Sequence, residues 1–286
     1  MKKIKRAMKK ITFGKILLYA FMALLVSFTG LPITYMVSTA FKPLHELFLW
    51  PPTFFVRNPT AANFADLTTA LSSSAVPFTR YAFNSVVVTI ATVSLSVLVC
   101  SLGAYGLVKH RPPGNRAYFQ FIVAALMFSP HVTRIPSFMV INGLGLTNTF
   151  WALILPGIAV AYNFFLMKQF LEQLPDELLE AARIDGAGEL LIYWKIAMPA
   201  LTPAWSTLVV FSFVTNWNDF MSPLIYIHKQ SMKTLPLALN TISAGGLGRA
   251  GATAAATFIM TLPTIVIFTA MQSLVMETMT HSGIKG

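Results

Sequence analysis

The chain has 286 residues, of which 55% are hydrophobic and 11% charged, and its mean hydropathy is +0.65. An ordinary soluble domain carries about 25% charged residues, so this composition excludes a typical soluble enzyme and a disordered chain and fits a polytopic membrane protein. A single cysteine, Cys100, excludes a disulfide framework and any cysteine-based metal cluster.

The net charge is +11. Seven of the basic residues (Lys2, Lys3, Lys5, Arg6, Lys9, Lys10 and Lys15) fall in the first fifteen positions, directly before an apolar run. That placement reads as a topology signal rather than a nucleic-acid surface. The run itself, Ile16 to Phe41, holds no charge over 26 residues. It exceeds the h-region of a signal peptide and no small-x-small site closes it promptly, so it reads as a retained helix. About 20 apolar residues suffice to cross a bilayer. By that test the further spans are Tyr81 to Val108, Ala117 to Thr133, Thr149 to Met167, Ile196 to Asn218 and Ala250 to Met276. Pro136, Gly143, Gly145 and Asn148 are expected to break the uncharged stretch before the fourth. Each span should be helical, because lipid offers the backbone no partners. The fold class is therefore all-α, with six transmembrane helices.

Six spans place both termini on one side. With the N-terminus inside, the inner segments hold fourteen Lys and Arg and the outer segments seven, a bias that makes both termini and the loop between spans four and five cytoplasmic. The outer loop, 42–79, carries Trp50, Phe54 and Phe55, suited to the headgroup level. No internal repeat is visible, and the chain reads as one domain over 1–286.

Residues 168–199 differ from the rest. Six of the ten acids lie there: Glu172, Asp176, Glu177, Glu180, Asp185 and Glu189. Pro175 followed by two acids reads as a helix start. Gly186 and Gly188 read as a stop or sharp turn. A second short helix begins at Glu189 and is limited by Pro199. Ala181 and Ala182 form a low patch that another protein surface can approach closely. Read from these residues alone, the segment is either such a docking element or an ordinary amphipathic connector.

The spacing Glu180-Ala181-Ala182, then Gly186, then Ile196-Ala197-Met198-Pro199 resembles the cytoplasmic signature of binding-protein-dependent ABC importer permeases. The one departure is Met198, where the signature has Leu. Asn84-Ser85, Gly103-Ala104-Tyr105-Gly106-Leu107, Asn216-Trp217-Asn218-Asp219-Phe220, Thr234-Leu235-Pro236 and the tail Gly283-Ile284-Lys285-Gly286 resemble the carbohydrate branch, related to the maltose-system permease MalG. The resemblance implies a type I ABC importer transmembrane domain. Its expected partners are a second homologous permease, two ABC ATPase subunits, an extracytoplasmic solute-binding protein and a sugar. It also implies a bacterial or archaeal cytoplasmic membrane. Residues Glu180, Ala181, Ala182, Asp185, Gly186 and Pro199 would form the coupling helix and its flanks against the ATPase, which the tail would also reach.

The chain lacks G-x-x-x-x-G-K-[ST], since its one Gly-Lys pair, Gly14-Lys15, is followed by Ile16. ATP and Mg are therefore expected on the partner ATPase and no cofactor on this chain. Polar residues at the spans, Asn84, Asn163, Asn216, Asn218 and Asp219, are candidates for the solute path. A helix cap at Asn84 and an interfacial helix end at Asn216–Asp219 are the plainer readings. The five histidines never fall at metal-ligand spacing. A different solute, such as a glycerol-phosphate ester or a peptide, stays open. So do a secondary transporter, for which intramembrane charges are scarce, and a membrane-embedded enzyme, for which no acid or histidine cluster stands at the interface.

Overall fold

The computed structural model describes residues 13–72, 76–243, 246 and 249–283, so the basic positions 2–10 and the tail positions 284–286 lie outside the described residues. Its order is α1 (Phe13–Ala40), α2 (Leu44–Leu47), α3 (Ala62–Ser72), α4 (Phe78–Lys109), α5 (Asn115–Ala125), α6 (Pro130–Gly143), α7 (Trp151–Ile158), α8 (Ala161–Leu171), α9 (Asp176–Ile184), α10 (Glu189–Ile192), α11 (Met198–Ala200), α12 (Thr202–Trp217), α13 (Met221–Tyr226), α14 (Leu235–Ser243) and α15 (Ala250–Gly283). A π-turn, Tyr193–Ala197, joins α10 to α11. No strand occurs among the described residues.

Four helical segments are long and apolar enough to cross a membrane: Phe13–Ala40, Phe78–Lys109, Trp151–Leu171 and Ala250–Val275. The number is six if each of two bent pairs counts as one span. Two of the six apolar runs read from the sequence are thus bent helices. The third apolar run breaks into α5 and α6 at 110°. Ser129 and Pro130 cause the break: Ser129 caps α6, its Oγ accepting from the His131 N–H at 3.4 Å, and Pro130 suits a first helical position. Pro136, expected to break the chain, lies inside α6, which ends at Gly143. The fifth run bends by 75° between Ala200 and Thr202, so its straight part is α12 alone. Pro199 and Pro203 flank that bend and remove two backbone donors.

The chain divides into two compact units. The first takes the described residues up to Thr69 and those between Gly245 and Ile259; the second takes Ala70 to Ala244 and those from Met260 on. In the first unit, the apolar stretch of α1 is unburied and presents apolar side chains outward, as a lipid-facing helix does. Thr29, Thr34 and Thr39 turn their hydroxyls back onto the carbonyls of Leu25, Gly30 and Tyr35, so these three hydroxyls are satisfied within the helix. The loop after α1 is knotted by Glu46, only 3% exposed. Its carboxylate accepts from the backbone N–H of Arg57 and of Asn58, both at 3.0 Å, and from Asn58 Nδ2 at 3.1 Å. Phe41, Phe64 and Phe258 pack as a trio with centroids 5.2–6.0 Å apart.

The second unit is organised around α4. Pro77 starts it, and the Pro112-Pro113 pair after Arg111 stops the chain from continuing as a helix. Ser85, Thr89, Thr92 and Ser96 recur at helical spacing and are buried. Such small polar side chains let neighbouring backbones come close. Beside them Gly157 of α7 is required, because a Cβ there would lie 2.5 Å from Thr92 Cγ2. Toward its C-terminal end α4 enters an apolar core that includes Ala104, Tyr105, Met167, Leu171, Leu179 and Tyr193. At about 1.5 Å per residue, its 32 residues span about 48 Å. The two sets of candidate residues sit near opposite ends of this rod.

Candidate functional site

The first set lies on α9. Asp176 and Glu177 occupy its first turn and Arg183 its last, the charge order that a helix dipole favours. Only Leu179 is buried, 1% exposed against the core, while Leu178 is 52% and Ile184 86% exposed. Glu180 and Ala181 are exposed and Ala182 half-buried. The outward face of α9, opposite Leu179, thus carries exposed Ala181 and Ile184 beside two acids, Glu177 and Glu180, neither in an ion pair among the described residues.

Gly186 ends the helix with φ +82, the left-handed value that strains any residue with a Cβ. Its N–H donates to Arg183 O at 3.0 Å and that of Ala187 to Ala182 O at 2.9 Å, the two bonds of a Schellman stop. Asp185 precedes it, exposed, its N–H donating to Ala181 O. Pro199 is exposed on α11. Both boundaries read from the sequence, Pro175 and Gly186, are where the helix begins and ends.

Sequence reasoning missed the fastenings behind α9. Lys109 Nζ of α4 reaches Asp176 Oδ1 at 2.8 Å and Leu174 O at 2.5 Å, and Arg111 Nη2 reaches Asp176 Oδ2 at 3.0 Å. The Lys109 ammonium beside Asp176 holds that carboxyl below the usual carboxylate range. At the other end, Glu189 accepts from Arg183 Nε at 2.7 Å and from the Tyr105 hydroxyl at 3.1 Å. Tyr105 and Lys109 on α4 and Arg111 just past it stand 65 to 84 positions before the acids they hold, whereas Arg183 is only six from Glu189. A run of acids alone does not name them. A groove of about 660 Å³ opens beside this end, lined by Arg111, Arg116, Lys168, Glu172 and Asp176 among others.

The second set lies near the far end. Asn216, Asn218 and Asp219 close α12 and begin the turn after it. Asn216 Nδ2 donates to Ser212 O at 2.7 Å and Asn218 Nδ2 to Val214 O at 2.8 Å. Asp219 Oδ1 accepts from the N–H of Met221, which starts α13, and from that of Ser222. Asn216 and Asp219 line one small cavity of about 20 Å³ with Ser85, Thr89 and Thr234, whereas Asn218 is exposed outside it. Asn84, fully buried, donates to the carbonyls of Ser231 and Lys233 at 2.9 and 2.8 Å. Asn163, 4% exposed, donates to Ser96 Oγ at 3.1 Å and Ser212 Oγ at 2.9 Å, joining α8 to α4 and α12. The structure therefore brings Asn216 and Asp219 together and leaves Asn84 and Asn163 elsewhere, each engaged within the fold. No cluster of metal-ligating side chains occurs among the described residues.

Residues 97–280, which include every one of these candidates except Asn84, match the family model of binding-protein-dependent transport system inner membrane components. The chain belongs to this family. It is 29% identical over 274 residues to the arabinooligosaccharides transport system permease protein AraQ of Halalkalibacterium halodurans, covering 94% of each chain. It is 34% identical over 204 residues to the sn-glycerol-3-phosphate transport system permease protein UgpE of Yersinia enterocolitica, covering 71% of this chain and 73% of that one. Its fold is similar to that of a chain in the crystal structure of a bacterial ABC transporter involved in the import of the acidic polysaccharide alginate. There the TM-score is 0.78 at 22% identity, over 93% of this chain and 97% of the other. The family resemblance carried by Glu180 to Pro199 is thereby borne out. The chain is a multi-pass inner membrane component of a transport system.

Proposed function

We propose that this permease is one of two homologous membrane subunits of an ATP-driven importer, taking a sugar, most simply an oligosaccharide, from an extracytoplasmic solute-binding protein. Two ABC ATPase subunits bind the ATP and Mg and do the hydrolysis, since this chain has no phosphate-cradling loop. The whole chain acts as one transmembrane domain in a bacterial or archaeal cytoplasmic membrane, with both termini inside. The observation that carries the reading is α9. It is a short helix fixed on its inner side by Leu179 and open on its outer side at Glu180 and Ala181, in a member of a family of transport membrane components. Ala181 and Ala182 allow close approach, Gly186 and Asp185 set the turn, Pro199 limits the following segment, and Glu180 supplies a charge for a basic partner. In this reading the outer end of α12, Asn216 to Asp219, borders the solute path, and Asn84 and Asn163 hold the helices around it. The sugar class rests on relatives named for arabinooligosaccharide and lactose transport.

The relative named for glycerol-3-phosphate transport favours a second reading with the same machinery and a smaller, anionic solute. Uptake of labelled arabinotriose against labelled glycerol-3-phosphate, by vesicles holding the whole importer, separates the two. The coupling reading is tested by Glu180→Lys, which turns an attraction to a basic ATPase side chain into a repulsion. The variant should reach normal membrane levels yet lose ATPase subunits on purification. Full ATPase retention with full uptake would return α9 to a plain connector.

A further inference from the structure

Nine residues of helix, about 13 Å long, separate two polar attachments that both lead from α9 to the last turns of α4. At the start of α9, Asp176 is held by Lys109 and Arg111. The Lys109 side chain is 4% exposed, and its ammonium also takes the Leu174 carbonyl just before the helix. Just beyond the end of α9, Glu189 gathers Arg183 of that helix, the Tyr105 hydroxyl of α4 and, at 3.5 Å, His110 Nε2. Tyr105 is itself pinned edge-on between His110 and Tyr193, and the Tyr193 hydroxyl lies 2.6 Å from Ser101 Oγ of α4. Between the attachments Leu179 enters the core that Ala104 and Tyr105 line.

A helix fixed at one point can swivel. One fixed at both ends and seated in the middle can move only with its support. The ion pairs are half-exposed at Asp176, Arg183 and Glu189, so they contribute little to stability. Their value is geometric, because the same α4 that receives them runs unbroken to the end where Asn84 and Ser85 sit. We infer that Asp176 and Glu189 are positioning residues, which clamp α9 to the inner end of α4 so that a displacement of α9 is delivered to α4 rather than lost as rotation. This rests on the reading of α9 as the coupling helix and adds residues outside its Glu-Ala-Ala signature. On α9 Asp176 and Arg183 flank Glu180, four positions before it and three after, but neither lies on the Ala181–Ile184 face opposite Leu179, so neutralising the clamps without reversing charge should leave ATPase docking intact.

The test uses the complete importer, purified with its co-expressed subunits into lipid vesicles. A fluorescent maleimide is placed at Pro113→Cys, an exposed position just past α4; Cys100 is 1% exposed and stays unlabelled. ATP with orthovanadate is the probe. The parent complex should retain its ATPase and change its fluorescence. Asp176→Asn combined with Glu189→Gln should retain the ATPase and ATP hydrolysis while losing the fluorescence response. Glu189→Arg alone should lose the response too, and Arg183→Glu with Glu189→Arg should restore it, which a merely structural role would not predict. A doubly neutralised complex that responds like the parent overturns the clamp and leaves the coupling reading standing. Variants that shed the ATPase also overturn it, because the residues would then act in docking. A parent complex that never holds an ATPase overturns the coupling reading and the clamp with it.

Discussion

Gly186 and Glu46 show how a single residue fixes a surface segment by different physics. At Gly186 the constraint is the backbone, since a Cβ would meet nothing within 4 Å, yet φ is +82. A β-branched residue there should therefore cost about 1–3 kcal/mol of local strain with no steric clash. Gly186→Val is expected to loosen the end of α9, read as faster hydrogen exchange at the Ala187 amide. Gly186→Asn, which tolerates the left-handed region, should stay close to the parent. At Glu46 the constraint is charge. The Arg57 backbone N–H, foremost, holds its carboxyl below the ordinary glutamate value of 4.5, against the opposing effect of burial. A depressed value in the folded chain means that the stabilisation is complete above about 4.5 and is lost as pH falls through the folded value. Exchange at the Arg57 and Asn58 amides, corrected for intrinsic rates, should rise only below that range. Glu46→Gln should remove the pH dependence, and an unchanged profile in that variant would assign it to another group.

Elements were legible in the sequence where a local signal marks their ends and obscure where the signal is spatial. Pro175, Asp176 and Gly186 bound α9 because starts and stops are local chemistry. The 110° break between α5 and α6 was hidden inside an uncharged run, although Ser129-Pro130 is a helix-start signature by itself. A search for charge-free length does not see it. Asn163 illustrates the other limit. A polar residue in a span marks either a path or a bond between helices, and only packing shows that both of its donors are taken by Ser96 and Ser212. The element-level prediction follows from that bond. Interhelical hydrogen bonds within membranes average about 0.6 kcal/mol and reach about 1.7, and Asn163 makes two of them. Asn163→Ala should lower the thermal midpoint of the purified importer by the equivalent of about 1–2 kcal/mol without abolishing uptake. Lost uptake at an unchanged midpoint would place Asn163 in the solute path instead.

At the scale of the whole molecule, sidedness decides whether the two candidate regions can be connected as proposed. The basic bias of fourteen inner to seven outer residues predicts that α9 lies inside and the segment holding Glu46 and Asn58 outside. The structure adds that α4 runs as one 32-residue helix, close to the length needed to cross both headgroup regions as well as the hydrocarbon. Its Lys109 end meets α9 and its Asn84 end meets the segment Ser231–Lys233. Two exposed positions report the outcome directly: Ile184 on α9, 86% exposed, and Asn58 in the loop after α2. Single cysteines at each, in otherwise unchanged chains, leave Cys100 as the only other thiol, and it is buried. In intact cells a membrane-impermeant maleimide should label Asn58→Cys and not Ile184→Cys, and in inverted vesicles the pattern should reverse. If both label from one side, α9 and the Glu46 loop share a compartment. An ATPase docked on α9 would then stand on the side where the solute-binding protein must deliver, and the proposed importer could not be built from this chain.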